Sequence, residues 1–308
     1  MKFSSLRYSR NGFAKDPIVV KLGADYWLYY SEFDAEKRLR VAIARARDLD
    51  DWEFVGLMPL VGEVERNGIG APGAVVLDGA IHLFYQTYGN GTGDAICHAV
   101  SRDGLNFERN AGNPIFRPRG EWTCGRAIDA DVLVHGDTLF LGCATRDPNF
   151  KVQKLVMATA PLDADFGPQS WTQRGEGSIL EPQLNWEGEC IEAPALLRRD
   201  GKFWMFYAGA YNASPQQIGL AVSDDGIDWR RTSDKPFLPN GAPGSWNADE
   251  SGHPGVLRDE DRAHLFFQGT PDQGKTWIIS RVEIEDHDWP LDYGVKTPRD
   301  TKVVGLVD

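Results

Sequence analysis

Five segments of the chain repeat one pattern, and this repetition limits the possible folds more than any other feature of the sequence. The pattern is a small or turn residue, an apolar run, a polar turn with Gly or Asp, then an aromatic-rich run. It reads DPIVVKLGADYWLYYS from Asp16, APGAVVLDGAIHLFYQ from Ala71 and DADVLVHGDTLFLGCA from Asp129. It returns as APALLRRDGKFWMFYAG from Ala193 and HPGVLRDEDRAHLFFQG from His253. Successive starts lie 55, 58, 64 and 60 residues apart. β-Branched and aromatic residues dominate the runs and Gly or Asp marks the turns, so each segment is predicted to be a β-hairpin.

Third runs follow at 40–46, 95–101, 154–160, 218–223 and 277–282. Fourth runs bearing Trp or Phe follow from Asp50, Asp103, Gln169 and Asp225, with Asp-Gly turns at 103–104 and 225–226. Four strands per repeat, arranged radially, predict an all-β fold: a single five-bladed β-propeller of four-stranded blades around a central channel, spanning residues 1–308. The fifth repeat lacks a fourth run of its own after Ile284, and LRYS at 6–9 is the expected replacement that closes the ring.

The first strand of each propeller blade lines the channel, so the residues opening the repeats face one small volume. That column reads Asp16, Ala71, Asp129, Glu192 (just before Ala193) and His253. Asp and Glu are depleted in strands and rarely buried without a partner. Asp16 before Pro17 would alone be read as a turn former, and Glu192 as a solvated loop charge. Their coincidence at one repeat position makes them candidates for catalysis. Crowded carboxyls in a partly dry site split their protonation, one held as the acid and another ionised, which is what glycoside hydrolysis requires.

In its order of motifs the chain resembles the superfamily of glycoside hydrolase families 43 and 32, five-bladed propeller furanosidases. The matching motifs are KDPIVV in the first repeat, RAIDADVLV in the third, CIEAPALL in the fourth and SGHPGVL in the fifth. The resemblance covers residues from about 14 to 284 and is closer to family 43, because NGFAKDPIVV replaces the Trp-Met-Asn-Asp-Pro-Asn-Gly type of opening in family 32. It implies Asp16 as general base, Asp129 as pKa modulator and orienter, and Glu192 as general acid. It implies for His253 a place beside a channel water or a structural calcium, with no cofactor required. Glu192 is preferred to Glu189 because it directly precedes the strand.

Arg126, three residues before Asp129, is expected to bond a sugar hydroxyl or pair with a channel carboxylate. Asp131 lies two steps along the strand from Asp129 and so shares its face. Trp122, Trp186 and Trp246 precede Asp129, Glu192 and His253 by seven, six and seven residues and are read as blade packing ahead of sugar platforms. Asp249 and Glu250, entering the fifth repeat, are rim charges or substrate contacts. The six His show no HxH or HExxH spacing, so no catalytic metal is expected.

A net charge of −12 disfavours nucleic acid and anionic membranes as partners, leaving a small oligosaccharide. The opening MKFSSLRYSRNGF lacks the apolar run of a secretory signal, no stretch is long and apolar enough for a membrane span, and Cys97, Cys124, Cys143 and Cys190 show no CxxC spacing. A cytoplasmic protein with free thiols is the expectation. The function expected is exo-hydrolysis of terminal furanosyl groups, arabinofuranosyl first and fructofuranosyl or xylosyl next. The rival readings are a non-catalytic glycan-binding propeller and a transferase or phosphorylase on the same blades.

Overall fold

The structure, a computed structural model, describes residues 1–259 and 262–290. Strand β1 is Lys2–Phe3. Blade I comprises β2 (Lys15–Leu22), β3 (Asp25–Phe33), β4 (Leu39–Ala46) and β5 (Glu53–Leu57). Blade II comprises β6 (Ile69–Leu77), β7 (Ala80–Thr87), β8 (Ile96–Ser101) and β9 (Glu108–Arg109). Blade III is β10 (Ile128–His135), β11 (Thr138–Arg146), β12 (Gln153–Pro161) and β13 (Thr172–Arg174). Blade IV is β14 (Ile191–Arg199), β15 (Lys202–Gly209), β16 (Gln217–Ser223) and β17 (Trp229–Arg231). Blade V takes β18 (Glu250–Asp259), β19 (Arg262–Thr270) and β20 (Ile278–Ile284) from the end of the described chain and β1 from its start. Every pairing within a blade is antiparallel. The described residues contain no helix long and apolar enough to cross a membrane.

The predicted ring closure needs one correction. The N-terminal segment does supply the fourth strand of blade V, but with Lys2 and Phe3 opposite Glu283 and Val282. LRYS contributes only an isolated bridge, from Tyr8 to Ile279.

The blades are cemented by five apolar clusters, each shared by two neighbours. Leu28, Tyr30 and Trp52 meet Leu257 and Phe266 across the closure between blades I and V. Tyr29 and Ile43 meet Leu83 and Tyr85 between blades I and II, and the same arrangement continues around the ring. A blade alone would leave both of its faces wet, so the ring buries them together. Gly255 shows how tightly it closes: a Cβ there would lie 1.9 Å from the Pro17 carbonyl oxygen.

Candidate active site

Every inner strand carries a bulge at the same place. In β2, Lys15 pairs with Ser31 and Ile18 with Tyr29, so Asp16 and Pro17 face Tyr30 alone. The same two-against-one irregularity occurs between Gly70 and Gly73, Ile128 and Asp131, Glu192 and Ala195, and Gly252 and Gly255. The first bulged residue is left-handed each time: Asp16 (φ 54°), Ala71 (φ 41°), Asp129 (φ 55°), Ala193 (φ 49°) and His253 (φ 41°). Such backbone is uncommon outside Gly, Asn and Asp, and a bulge re-aims the side chain it carries. Here it turns Asp16, Asp129 and His253 into the channel, whose lining they share with Ala71, Asp131 and Ala193.

The strain is held from the neighbouring blade. The backbone N–H of Asp16 donates to Gln268 Oε1 (3.0 Å), that of Asp129 to Gln86 Oε1 (2.7 Å), and that of Ala71 to Ser31 Oγ (2.8 Å). Glu192 stands one residue ahead of the left-handed position, which Ala193 occupies, and still reaches the His253 ring.

His253 joins the carboxyls. Its Nδ1 lies 2.8 Å from Asp16 Oδ1, an ion-pair contact not aligned as a hydrogen bond, and its Nε2 lies 3.0 Å from Glu192 Oε1. Glu192 also accepts from Gln216 Nε2 (2.8 Å) and from Gln153 Nε2. Gln153 Oε1 in turn accepts from Arg146 Nε (2.7 Å), which fixes the orientation of its amide. Asp129 Oδ2 is buried without a hydrogen-bond partner.

The charges separate accordingly. Burial pushes the Asp16 carboxyl up, but the His253 charge, with help from Lys15 and Ser31, outweighs it and holds the group at about 2. Burial likewise opposes ionisation of Glu192, yet His253 and Gln216 bring it below its ordinary value. Asp129 goes the other way, to about 7, through burial and the negative neighbours Glu192 and Asp16. Burial would discharge His253, but Asp16 and Glu192 raise it well above the usual imidazole value. Asp131, buried and accepting from the Leu196 N–H (2.6 Å), also rises to about 7. The carboxyls of Asp129 and Glu192 are close enough to compete for one proton, and without substrate Asp129 holds it the more firmly.

The remaining sequence candidates divide. Arg126 pairs with buried Asp94 (3.3 Å) and lies close enough to Asp129 to favour its charge. Glu250 is buried, accepting from Gln268 Nε2 (2.7 Å) and the Ala213 N–H (2.6 Å), and so ties the loop after β15 of blade IV to blade V. Asp249 accepts from the Gln273 N–H (2.9 Å) on the rim. Trp122 packs on the core shared by blades II and III. Trp186 stacks on Tyr207 at 6.0 Å, and Trp246 packs on Phe267 at 5.4 Å. Glu189 pairs with Lys151 (2.8 Å) and is half-exposed, away from the carboxyl cluster.

Sequence reasoning missed Gln153, Gln216, Gln268, Lys15 and Arg146. Gln86, missed as well, and Gln268 had a signal, since each directly follows the aromatic pair of its repeat, in LFYQ and LFFQ.

Donor atoms of Asp129, Glu192 and His253 lie within 4.8 Å of one another. Calcium takes six to eight oxygen ligands, and an imidazolium whose two nitrogens face carboxylates has no lone pair to give. The residues present fit a shared proton better than a metal.

Comparison with known proteins gives this geometry a context. The family described as glycosyl hydrolases family 43 matches residues 10–290. A thermostable family-43 glycoside hydrolase superposes with a TM-score of 0.74 and 21% identity, covering 92% of this chain and 94% of that one. An α-L-arabinofuranosidase from Lactobacillus brevis gives 0.67 and 16% identity, with 92% and 96% covered. A β-1,2-mannobiose phosphorylase from Thermoanaerobacter sp. (strain X514) is 27% identical over 127 residues, which span 36% of this chain and 40% of that enzyme.

Proposed function

Because the chain belongs to glycosyl hydrolases family 43, we propose that it is an inverting exo-glycosidase releasing terminal furanosyl groups from short oligosaccharides. Arabinofuranosyl groups come first, fructofuranosyl and xylosyl groups next. The observation that carries the reading is the convergence of Asp16, Asp129 and Glu192 on one buried imidazole.

Asp16, ionised at any ordinary pH, is the base that takes a proton from the attacking water. Glu192 delivers the proton to the departing oxygen, and Asp129 stores that proton and holds it within the pair. Inversion needs carboxyls about 6.5–9.5 Å apart, against about 5–5.5 Å for retention. An imidazole ring with a contact of 2.8 Å on one side and 3.0 Å on the other separates Asp16 from Glu192, which supports the wider class. No cofactor is needed for these steps.

Phosphorolysis is a second reading, favoured by the partial match to the mannobiose phosphorylase. Both readings meet one experiment: turnover of nitrophenyl furanosides and pyranosides with and without inorganic phosphate, with Asp16→Asn and Glu192→Gln as controls. The expected result is phosphate-independent release of an arabinofuranosyl group, lowered at least about a hundredfold in each variant. Turnover that requires phosphate would replace hydrolysis by phosphorolysis. Full activity in either variant would remove the role given to that residue, and saccharide binding without turnover would make the propeller a glycan-binding module.

A further inference from the structure

The loop joining β11 to β12 holds an aromatic ring in an unusual place. Phe150 is 38% exposed and its backbone is left-handed, at φ 60°. A bulky residue in that conformation is a genuine outlier, kept only where its surroundings over-determine it. The surroundings do so. Asp147 Oδ1 accepts from the N–H groups of Lys151 and Val152, both at 2.7 Å, and the Phe150 N–H donates to the Asp147 carbonyl (2.9 Å). The Arg146 guanidinium lies 4.4 Å from the Phe150 ring centre and 5.0 Å from that of Tyr211, so it ties the two rings together. Tyr211, on the loop after β15, donates its hydroxyl to the Lys151 carbonyl (2.7 Å) and locks the loop of blade III to that of blade IV.

This assembly sits beside the acid. Arg146 reaches Glu192 through Gln153, and Arg126, which acts on Asp129, lies 5.7 Å from the same Phe150 ring. The exposed ring is therefore linked to Glu192 through Arg146 and Gln153, and borders Arg126, whose charge acts on Asp129.

We propose that Phe150, fixed by Arg146 and Tyr211, is the platform for the sugar ring that leaves, and so selects what the hydrolysed group is attached to. The proposal rests on the reading of Glu192 as proton donor. A sugar presents an apolar face of C–H groups that packs on an aromatic ring, and a platform pre-set by its own loop costs little to order on binding. The contact is present before and during bond cleavage, so losing it raises KM more than it lowers kcat.

The test compares substrates that share the hydrolysed group but differ in the leaving one: α-L-arabinofuranosyl fluoride against α-1,5-arabinobiose, and β-xylosyl fluoride against xylobiose. Fluoride has no ring to stack. In Phe150→Ala the ratio of disaccharide to fluoride kcat/KM is expected to fall about tenfold, mostly through KM, the size of one good stacking contact. Phe150→Gly, which also relieves the left-handed backbone, is expected to do the same, and Phe150→Tyr to restore the ratio to within about threefold. An unchanged ratio in Phe150→Ala, or a Phe150→Tyr ratio as low as that of Phe150→Ala, overturns the platform alone. Wild-type protein that turns over neither fluoride and neither disaccharide overturns the reading of the site, and the platform with it.

Discussion

Blades II and III make the same bulge with opposite chemical contents. Ala71 and Asp129 both open an inner strand in left-handed backbone, and both have their N–H held by a side chain of the preceding blade, Ser31 in one case and Gln86 in the other. One carries a methyl group and the other the carboxyl raised to about 7. The strained backbone therefore belongs to the repeat, as part of how a blade turns its first strand into the channel, and is no mark of catalysis by itself. What separates a working blade from an inert one is the side chain at the bulge and the charges facing it. Blades I and V present Asp16 and His253 there, blade IV sets Glu192 one residue earlier, and blade II presents nothing that can ionise.

Moving the carboxyl from one blade to the other breaks this comparison most severely. Asp129→Ala is expected to lower turnover at least about a hundredfold, and Asp129→Ala combined with Ala71→Asp to recover none of it, although Asp suits the left-handed position. Recovery in the double variant, measured on the glycoside the wild type prefers, would mean that any carboxyl in the ring suffices. A smaller effect sharpens the comparison. Gln86→Ala and Ser31→Ala each leave a bulge N–H without its partner, and each should cost about 1–3 kcal/mol of unfolding free energy in urea. Gln86→Ala should also move the alkaline limb of the pH–rate profile, because its bulge carries the raised carboxyl of Asp129, whereas Ser31→Ala, which also takes a partner from the Asp16 carboxyl, should move only the acid limb. Equal profiles in the two variants would show that the blade II and blade III supports do the same job.

The fold was legible because a propeller writes its architecture once per blade. DPIVV, APGAVV and HPGVL announce the inner strands, and the turns between runs are short and rich in Gly and Asp. Asp16, Asp129 and His253 were legible for the same reason, since one backbone position aims all three inward. Glu192 was found although it misses the column by one residue: Ala193 takes the left-handed place, and the longer Glu side chain still reaches His253. Gln153, Arg146 and Tyr211 were not legible. Arg146 and Gln153 face each other at the far end of one hairpin of blade III, Tyr211 lies on the loop after β15 of blade IV, and no repeated spacing records how these loops meet. The split in protonation was foreseeable from crowding alone, but its direction was not. His253, between two carboxylates, draws the negative charge to Asp16 and Glu192 and leaves the proton to Asp129.

That last assignment is the centre of the account, and the pH dependence of kcat/KM tests it most directly. The reaction needs Asp16 ionised and one proton within the Asp129–Glu192 pair, so activity should hold through mildly acidic pH and fall as pH rises through about 7. Asp129→Asn removes a negative neighbour from Glu192, so the alkaline fall should move to lower pH in whatever activity remains. A wild-type profile that stays flat from pH 5 to pH 9, or an alkaline limb that Asp129→Asn leaves in place, would contradict a proton shared by these two side chains.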